Sequence, residues 1–281
     1  MKLSSRIAIA LGRRLPRGGW RLVRAAAARD PALWELPLPL RSVPGGVIRA
    51  DMRESVNMNY LRCGCIPGQE GHDALFGRVI RAGDTVYDVG ANVGYTMLLF
   101  AHLAGPGGKV IALEPGRRAF ASLARNAADR ANAVALQIAA SDQAGEATFH
   151  EAPLSDLSSL EPVAGADCYT VPVRPLDQLA ATYGAPAFVK IDVEGHEPHV
   201  LRGMAGLFGG VRPPLILFEA LDAAMRDRCL AVIRSLAGQD AVVRRLGHDG
   251  SLASDLETPG ANDYLFVPAW AGDRLDGAAK E

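Results

Sequence analysis

Acidic and small polar residues recur along this chain at the ends of short apolar runs. TVYDV carries Asp88 and continues as Gly90-Ala91-Asn92-Val93-Gly94. VIALEP ends on Glu114, AASD on Ser141-Asp142, FVKIDVEGHE on Asp192, Glu194, His196 and Glu197, and LILFE on Glu219. A carboxylate so placed can accept two hydrogen bonds from a diol or take a proton from a hydroxyl. The glycines narrow the ligand. A dinucleotide fingerprint, G-x-G-x-x-G, lets the backbone approach a pyrophosphate closely. From Gly90 it would need glycine at 92 and 95, where Asn92 and Tyr95 stand. The spacing found, Gly90-x-x-x-Gly94, suits a ligand with no phosphate group. Glu114, as an acceptor for ribose hydroxyls, fits any adenosine ligand, NAD or S-adenosylmethionine, and does not choose between them.

These acids form one site only if the elements carrying them end at a common rim. Strand patterns at 85–89, 110–113, 134–139, 188–193 and 215–219 alternate with helical patterns at 95–104, 117–130, 176–183, 197–206 and 223–236. That rhythm predicts βαβ units, right-handed crossovers and a doubly wound parallel sheet covered on both faces. Ligands of such a sheet lie beyond the carboxyl ends of its strands, where every acid above falls. Short strands at 146–151 and 169–173 flank a Ser/Pro/Gly loop, 153–167, and read as a hairpin-like excursion over one end of the sheet. The last two strands, 241–246 and 264–267, have no helix between them and can pair antiparallel. Before the first core strand, 72–80 reads as a helix and 31–50 as a Pro- and Gly-punctuated lead-in.

Composition excludes several classes. The chain has 281 residues, 49% of them hydrophobic, enough for one α/β domain with extensions. A net charge of −1 and 6% aromatic residues give no footprint for nucleic acid. Cys63, Cys65, Cys168 and Cys229 form no C-x-x-C pair and read as reduced thiols of a cytoplasmic protein. Cys63, Cys65 and His72 lack a fourth ligand at zinc spacing. No run of 18 apolar residues is present. We divide the chain into a basic extension (1–34), a lead-in and helix that could cover an acceptor site (35–83), the main domain (84–269) and a polar, frayed tail (270–281). The extension carries Lys2, Arg6, Arg13, Arg14, Arg17, Arg21, Arg24 and Arg29. Peripheral contact with a membrane is one reading of it. A loosely ordered, solvated segment is the one we expect.

VYDVGANVGYT, VIALEP, AASD followed by GEATF, and FVKIDVEGHEPHVLRG together resemble the FkbM-type family of S-adenosylmethionine-dependent methyltransferases, over roughly residues 82–267. The resemblance implies a class I methyltransferase fold, Rossmann-like, with seven strands of which the last is antiparallel. It implies S-adenosyl-L-methionine as cofactor, with Asp88, Gly90, Ala91, Asn92 and Gly94 in the loop beside its methionine and ribose. It also implies Glu114 on the ribose hydroxyls, Ser141 and Asp142 near the adenine, and Asp192 near the reacting methyl group. The acceptor it implies is a hydroxyl of a sugar, glycolipid or related natural product, a small molecule or glycan rather than a nucleic acid.

A hydroxyl acceptor gains from a base, for which Asp192 and His196 are the candidates. Plainer roles stand beside these. Gly90 and Gly94 could serve only close packing, Asp142 a turn, Lys190 an ion pair with Asp192 or Glu219, His196 a cap, and Glu197 the first turn of a helix. Asp192, Glu194 and Glu219 could hold magnesium, but we expect no metal. His72, His102 and His150 carry no motif. The rival functions are an NAD-dependent oxidoreductase on the same sheet and a non-catalytic module that binds an adenosine ligand or a partner.

Overall fold

The first core strand is preceded in the computed structural model by helices α1 (Leu3–Arg14) and α2 (Gly19–Ala27), a short 3-10 turn (Pro31–Leu33), strands β1 (Leu36–Pro39) and β2 (Val47–Ala50), and helices α3 (Asn57–Cys63) and α4 (Glu70–Val79). The alternating part follows as β3 (Thr85–Val89), α5 (Tyr95–Ala104), β4 (Lys109–Leu113), α6 (Arg117–Ala128), β5 (Ala133–Leu136) and β6 (Ala139–Ala140). Next come β7 (Gly145–Glu151), β8 (Asp167–Arg174), α7 (Leu176–Tyr183), β9 (Phe188–Ile191), α8 (Glu197–Arg202), α9 (Ala205–Phe208), β10 (Leu215–Glu219) and α10 (Ala223–Ala237). Strands β11 (Val242–Leu246), β12 (Leu252–Ala253) and β13 (Asp263–Val267) and helix α11 (Gly272–Asp276) are the last of the described elements. The structure describes residues 1–15, 18–152, 157–258 and 262–276. Residues 153–156 of the expected loop and 277–281 of the expected tail lie outside them.

The main sheet runs β12-β11-β13-β10-β9-β3-β4-β5. Strands β10, β9, β3, β4 and β5 are parallel. Strand β13 enters antiparallel between β10 and β11, as the missing helix predicted. Strand order reverses between β3 and β9, the switch point at which doubly wound sheets open a crevice. Among the described residues, the two-residue β12 is added at the edge beyond the seven expected strands. The expected strand 134–139 divides: β5 stays in the main sheet, while β6 joins β8 and β7 in a separate sheet ordered β6-β8-β7. Strands β7 and β8 pair antiparallel over their whole length, so the excursion is a hairpin.

The N-terminal third departs most from expectation. The basic extension is not loose. It forms α1 and α2, and Val23, Ala27 and Leu33 are fully buried. The lead-in contains an antiparallel hairpin, β1 with β2. Helix α5 explains this demand for cover: all but two of its ten residues are buried, so it is apolar on every side. The sheet covers one side, and the N-terminal elements cover the other. Phe76 of α4 meets Phe100 of α5 and Phe188 of β9 edge-on, with ring centroids 4.8 and 5.8 Å away. The tail is not frayed through 276. Trp270 Nε1 donates to the Pro213 carbonyl at 2.7 Å, and Arg274 Nη2 to Asp84 Oδ1 at 3.0 Å. No helix among the described residues is long and apolar enough to cross a membrane.

Candidate active site

The loop after β3 is shaped first by main-chain contact. Gly90 has φ +81°, and a Cβ there would collide with the carbonyl oxygen of Asp192, on the neighbouring strand end. Glycine is therefore required by the packing of β3 against β9, whatever ligand binds. Asn92 also has positive φ (47°), a conformation asparagine tolerates better than most residues. The turn aims the Asn92 amide at Glu114 Oε2 (2.9 Å), while the Gly116 amide reaches Oε1 (2.8 Å). Glu114 is buried, and no cation among the described residues is bonded to it. Burial pushes its acid up to about 7, against the pull of the two amides.

Three cavities meet along this rim. The first has Glu114, Gly90 and Asn92 on its polar side and Leu113, Ile138, Phe149, Leu160 and Val193 as apolar walls. The second is bounded by Asn92, Tyr95 and Lys190 from the sheet side and by Ser55, Asn59, Tyr60 and Gln69 from the N-terminal segment. The third and smallest holds Gln69, His72, Lys190, Glu219 and Asp263. Asp192 lines all three; Gly90 and Asn92 line the first two.

Asp192 sits in a row of charges. Lys190 Nζ donates to its Oδ2 at 2.8 Å. Burial raises Asp192, but the Lys190 ammonium and a hydrogen bond from Glu219 outweigh it and hold the carboxyl below its usual range. Glu219 moves the other way. Its own burial, then the Asp192 charge, keep it a neutral acid that donates to Asp192. Lys190 stays charged despite burial because Asp192 and Asp88 face it. Register places Lys190 opposite Asp88 on β3 and Leu217 on β10. His72, from α4, closes the row: Nε2 lies 3.1 Å from Asp263 Oδ1, and the buried Nδ1 has no partner among the described residues.

Of the residues expected at the site, Gly90, Ala91, Asn92, Glu114 and Asp192 reach the cavity walls. Asp88, Gly94, Ser141, Asp142 and His196 line none of the three cavities. Asp88 is fully buried beneath the loop and accepts from Thr96 Oγ1 at 2.6 Å. Gly94 starts α5 against Leu123 and Met97. Ser141 and Asp142 follow β6 into the smaller sheet and turn to α8. Ser141 Oγ meets His196 Nε2 at 2.9 Å, and Asp142 Oδ2 meets His199 Nδ1 at 3.2 Å. His196 Nδ1 is engaged by Glu161 at 2.9 Å. With both ring nitrogens occupied, His196 has no lone pair for an incoming hydroxyl, and burial lowers its proton affinity. The Lys190–Asp192 ion pair weighed from sequence is present. Glu197 serves its plain role, accepting from the Val193 and Gly195 amides.

Two groups of possible metal ligands occur among the described residues: Asp192 with Glu194 and Glu219, and Glu161 with His196 and His199. In the first, Lys190 already pairs with Asp192. In the second, the imidazoles stack with centroids 4.4 Å apart and planes at 6°, so their in-plane lone pairs run side by side instead of converging. The residues that sequence reasoning missed are Ser55, Asn59, Tyr60, Gln69 and His72. They come from the segment expected only as a cover, and none belongs to a motif.

The FkbM methyltransferase domain profile matches residues 88–241, more than half the chain. The chain belongs to the FkbM methyltransferase family. Its fold is Rossmann-like α/β, built on a mostly parallel, doubly wound sheet. Two curated relatives match parts of it. The 31-O-demethyl-FK506 methyltransferase FkbM of Streptomyces tacrolimicus is 51% identical over 67 residues, 24% of this chain and 25% of that protein. The hexuronic acid methyltransferase AglP of Haloferax volcanii is 30% identical over 141 residues, 49% of this chain and 56% of that protein. The chain thus spans about half or less of the length of these relatives. Solved structures it is similar to include an rRNA methylase from Streptococcus thermophilus, 13% identical with TM-score 0.39, covering 69% of this chain and 90% of that one. Aeropyrum pernix fibrillarin, with S-adenosyl-L-methionine bound, is 13% identical with TM-score 0.39 and covers 67% of each chain. The site fits S-adenosyl-L-methionine, the cofactor that the family resemblance implies: an acid fixed by two amides can accept from a diol, the adjoining walls are apolar, and Asn92 Oδ1 is a buried acceptor without a partner among the described residues.

Proposed function

We propose that this methyltransferase O-methylates a hydroxyl of a sugar or sugar-bearing small molecule, with Asp192 receiving that hydroxyl. The observation that carries this is the position of Asp192 where the first two cavities meet. In this reading the first cavity takes the adenosine end of the cofactor, with Glu114 accepting from the ribose diol and the apolar walls flanking the base. Bound there, the cofactor supplies an activated methyl group on a sulfonium. The second cavity takes the acceptor. Its outer wall, Ser55, Asn59 and Gln69, offers hydroxyl and amide groups suited to a polyhydroxylated ligand. Asp192 accepts a hydrogen bond from the acceptor hydroxyl and turns an oxygen lone pair inward. It takes the proton as the oxygen loses its basicity. Lys190 keeps Asp192 ionised for that task. The N-terminal elements close the second cavity and exclude water, so alignment supplies much of the rate.

The relative named as a hexuronic acid methyltransferase supports a sugar acceptor, and the balanced charge of the chain supports a small acceptor over a nucleic acid. Calorimetry with S-adenosylmethionine, S-adenosylhomocysteine and NAD, followed by methyl transfer to uronosides, neutral glycosides and macrolide alcohols, tests the reading. Binding of the two sulfur ligands but not NAD, with methyl ether formed on a glycoside, is expected. Methylation confined to nitrogen or to RNA would overturn it.

A further inference from the structure

We propose that the N-terminal helix pair is a docking surface for an anionic phospholipid bilayer. Helix α1 is packed the wrong way round for a helix that serves only a soluble core. It turns its small residues inward: Ser5, Ala8 and Gly12 are buried against the rest of the protein. Its large residues point out. Leu3 is 73% exposed, Ile7 52% and Leu11 47%, and Leu15 and Leu22 extend the exposed patch. Leu3, Ile7, Leu11 and Leu15 recur every four positions along one face of α1, and Leu22 lies on α2.

The inward face cannot be exchanged for the outward one. A Cβ at Gly12 would strike the Val23 side chain, and one at Gly19 would come 2.6 Å from the Gly12 carbonyl. The two helices touch through glycine, with no room for a leucine between them. The apolar stripe is therefore held outward by the packing that makes the fold.

Charge says what covers it. The first 29 residues hold eight basic side chains and no acid, a charge of +8, while the whole chain stands at −1. The rest, with 22 basic against 31 acidic residues, carries −9. Arg6 and Arg13 follow one edge of the stripe. Arg14 lies on its last turn, where a long stem can rest on apolar surface while the guanidinium reaches a headgroup. A second copy of this +8 surface would be repelled, and phosphate backbone alone would leave the leucines wet. A bilayer with anionic headgroups meets both needs, apolar face inward and arginines at the phosphate level. The surface also connects to the site: Arg62 of α3 donates to the Leu15 carbonyl at 2.8 Å, and α3 carries Asn59 and Tyr60 of the second cavity.

The test is co-sedimentation of the full chain with vesicles of phosphatidylcholine alone or mixed with phosphatidylglycerol. Partitioning onto the mixed vesicles should exceed that onto the neutral ones by about tenfold or more, and it should fall as salt rises. Ile7→Glu/Leu11→Glu should abolish it, and Arg13→Gln/Arg14→Gln should weaken it several-fold. Both variants should keep wild-type circular dichroism and cofactor affinity, since the altered side chains are exposed. Equal binding to both vesicle types, binding unchanged in Ile7→Glu/Leu11→Glu, or no binding would overturn the proposal. So would a dimer in sedimentation velocity that the same double variant dissolves, because a second copy would then be the occupant.

Discussion

Glu114 and Asp192 are both acids at the ends of parallel strands, on β4 and β9, and the protein stabilises them by opposite means. Glu114 is buried and held by two main-chain amides, with no cation bonded to it among the described residues, so burial pushes its acid up to about 7. Asp192 has a lysine on one side and a neutral acid on the other, and it stays ionised. A carboxylate that only accepts from a neutral diol needs placement more than charge. A carboxylate that must meet a hydroxyl losing its proton needs its charge defended. If Glu114 receives the diol and Asp192 the hydroxyl, as proposed, main-chain amides supply the first need and a buried ammonium the second.

The variant expected to separate the two acids most is Asp192→Asn. It should lower kcat by about 10²- to 10⁴-fold, the usual worth of a positioned base, and leave cofactor affinity within a few-fold of wild type. Equal losses in both would place Asp192 on the cofactor side. Next comes Gly90→Ala, which strikes both acids at once, because the new Cβ meets the Asp192 carbonyl and the loop carrying the Asn92 amide must shift. We expect about 4 kcal/mol or more of stability to be lost in urea unfolding. A loss below about 1 kcal/mol would mean that the β3–β9 contact is looser than described. Glu114→Ala should weaken cofactor binding by about 1.5–3 kcal/mol in calorimetry, with methyl transfer at saturating cofactor less affected.

The smallest effect is that of pH. An empty site with a Glu114 acid near 7 binds the diol better once ionised. Cofactor affinity should therefore rise by at most about tenfold per pH unit from pH 5 and level off above 7. Glu114→Gln should flatten that slope. The stability contribution has the opposite sign. With the folded acid at about 7 and the ordinary value at 4.5, the unfolded chain releases its proton first, so stability due to this group falls between those values as pH rises. A ligand-free denaturation series whose dependence is the same in wild type and Glu114→Gln would refute the shift.

The legible parts of the fold share a cause. Helix α5, helix α7 and strands β3 and β10 begin and end where their patterns predicted, because apolar runs of those lengths are cut off by glycine, acid or proline. Glu114 and Asp192 were legible for the same reason: each follows such a run directly. Ser141 and Asp142 follow an apolar run too, yet they miss the cavities. The run 134–139 breaks, and its last residues pair with β8 in another sheet, a choice no local pattern records. His196 looked like a base from the loop it occupies, and only the approach of Glu161 and Ser141 shows its nitrogens to be taken. His72 had no motif and lies at the site, because α4 packs across α5 and reaches Asp263 on β13.

By itself, the sequence determined the alternating sheet and the place of the acids at its carboxyl rim, and the absent middle glycine spoke against a dinucleotide fingerprint. Those are matters of period, chain reversal and steric room, which neighbouring residues decide among themselves. Tertiary structure decided which of the polar residues meet, which acid keeps its charge, and which face of α1 is buried. These outcomes depend on contacts between residues far apart in the chain. They also depend on burial, which changes what a carboxylate or a leucine does without changing what it is.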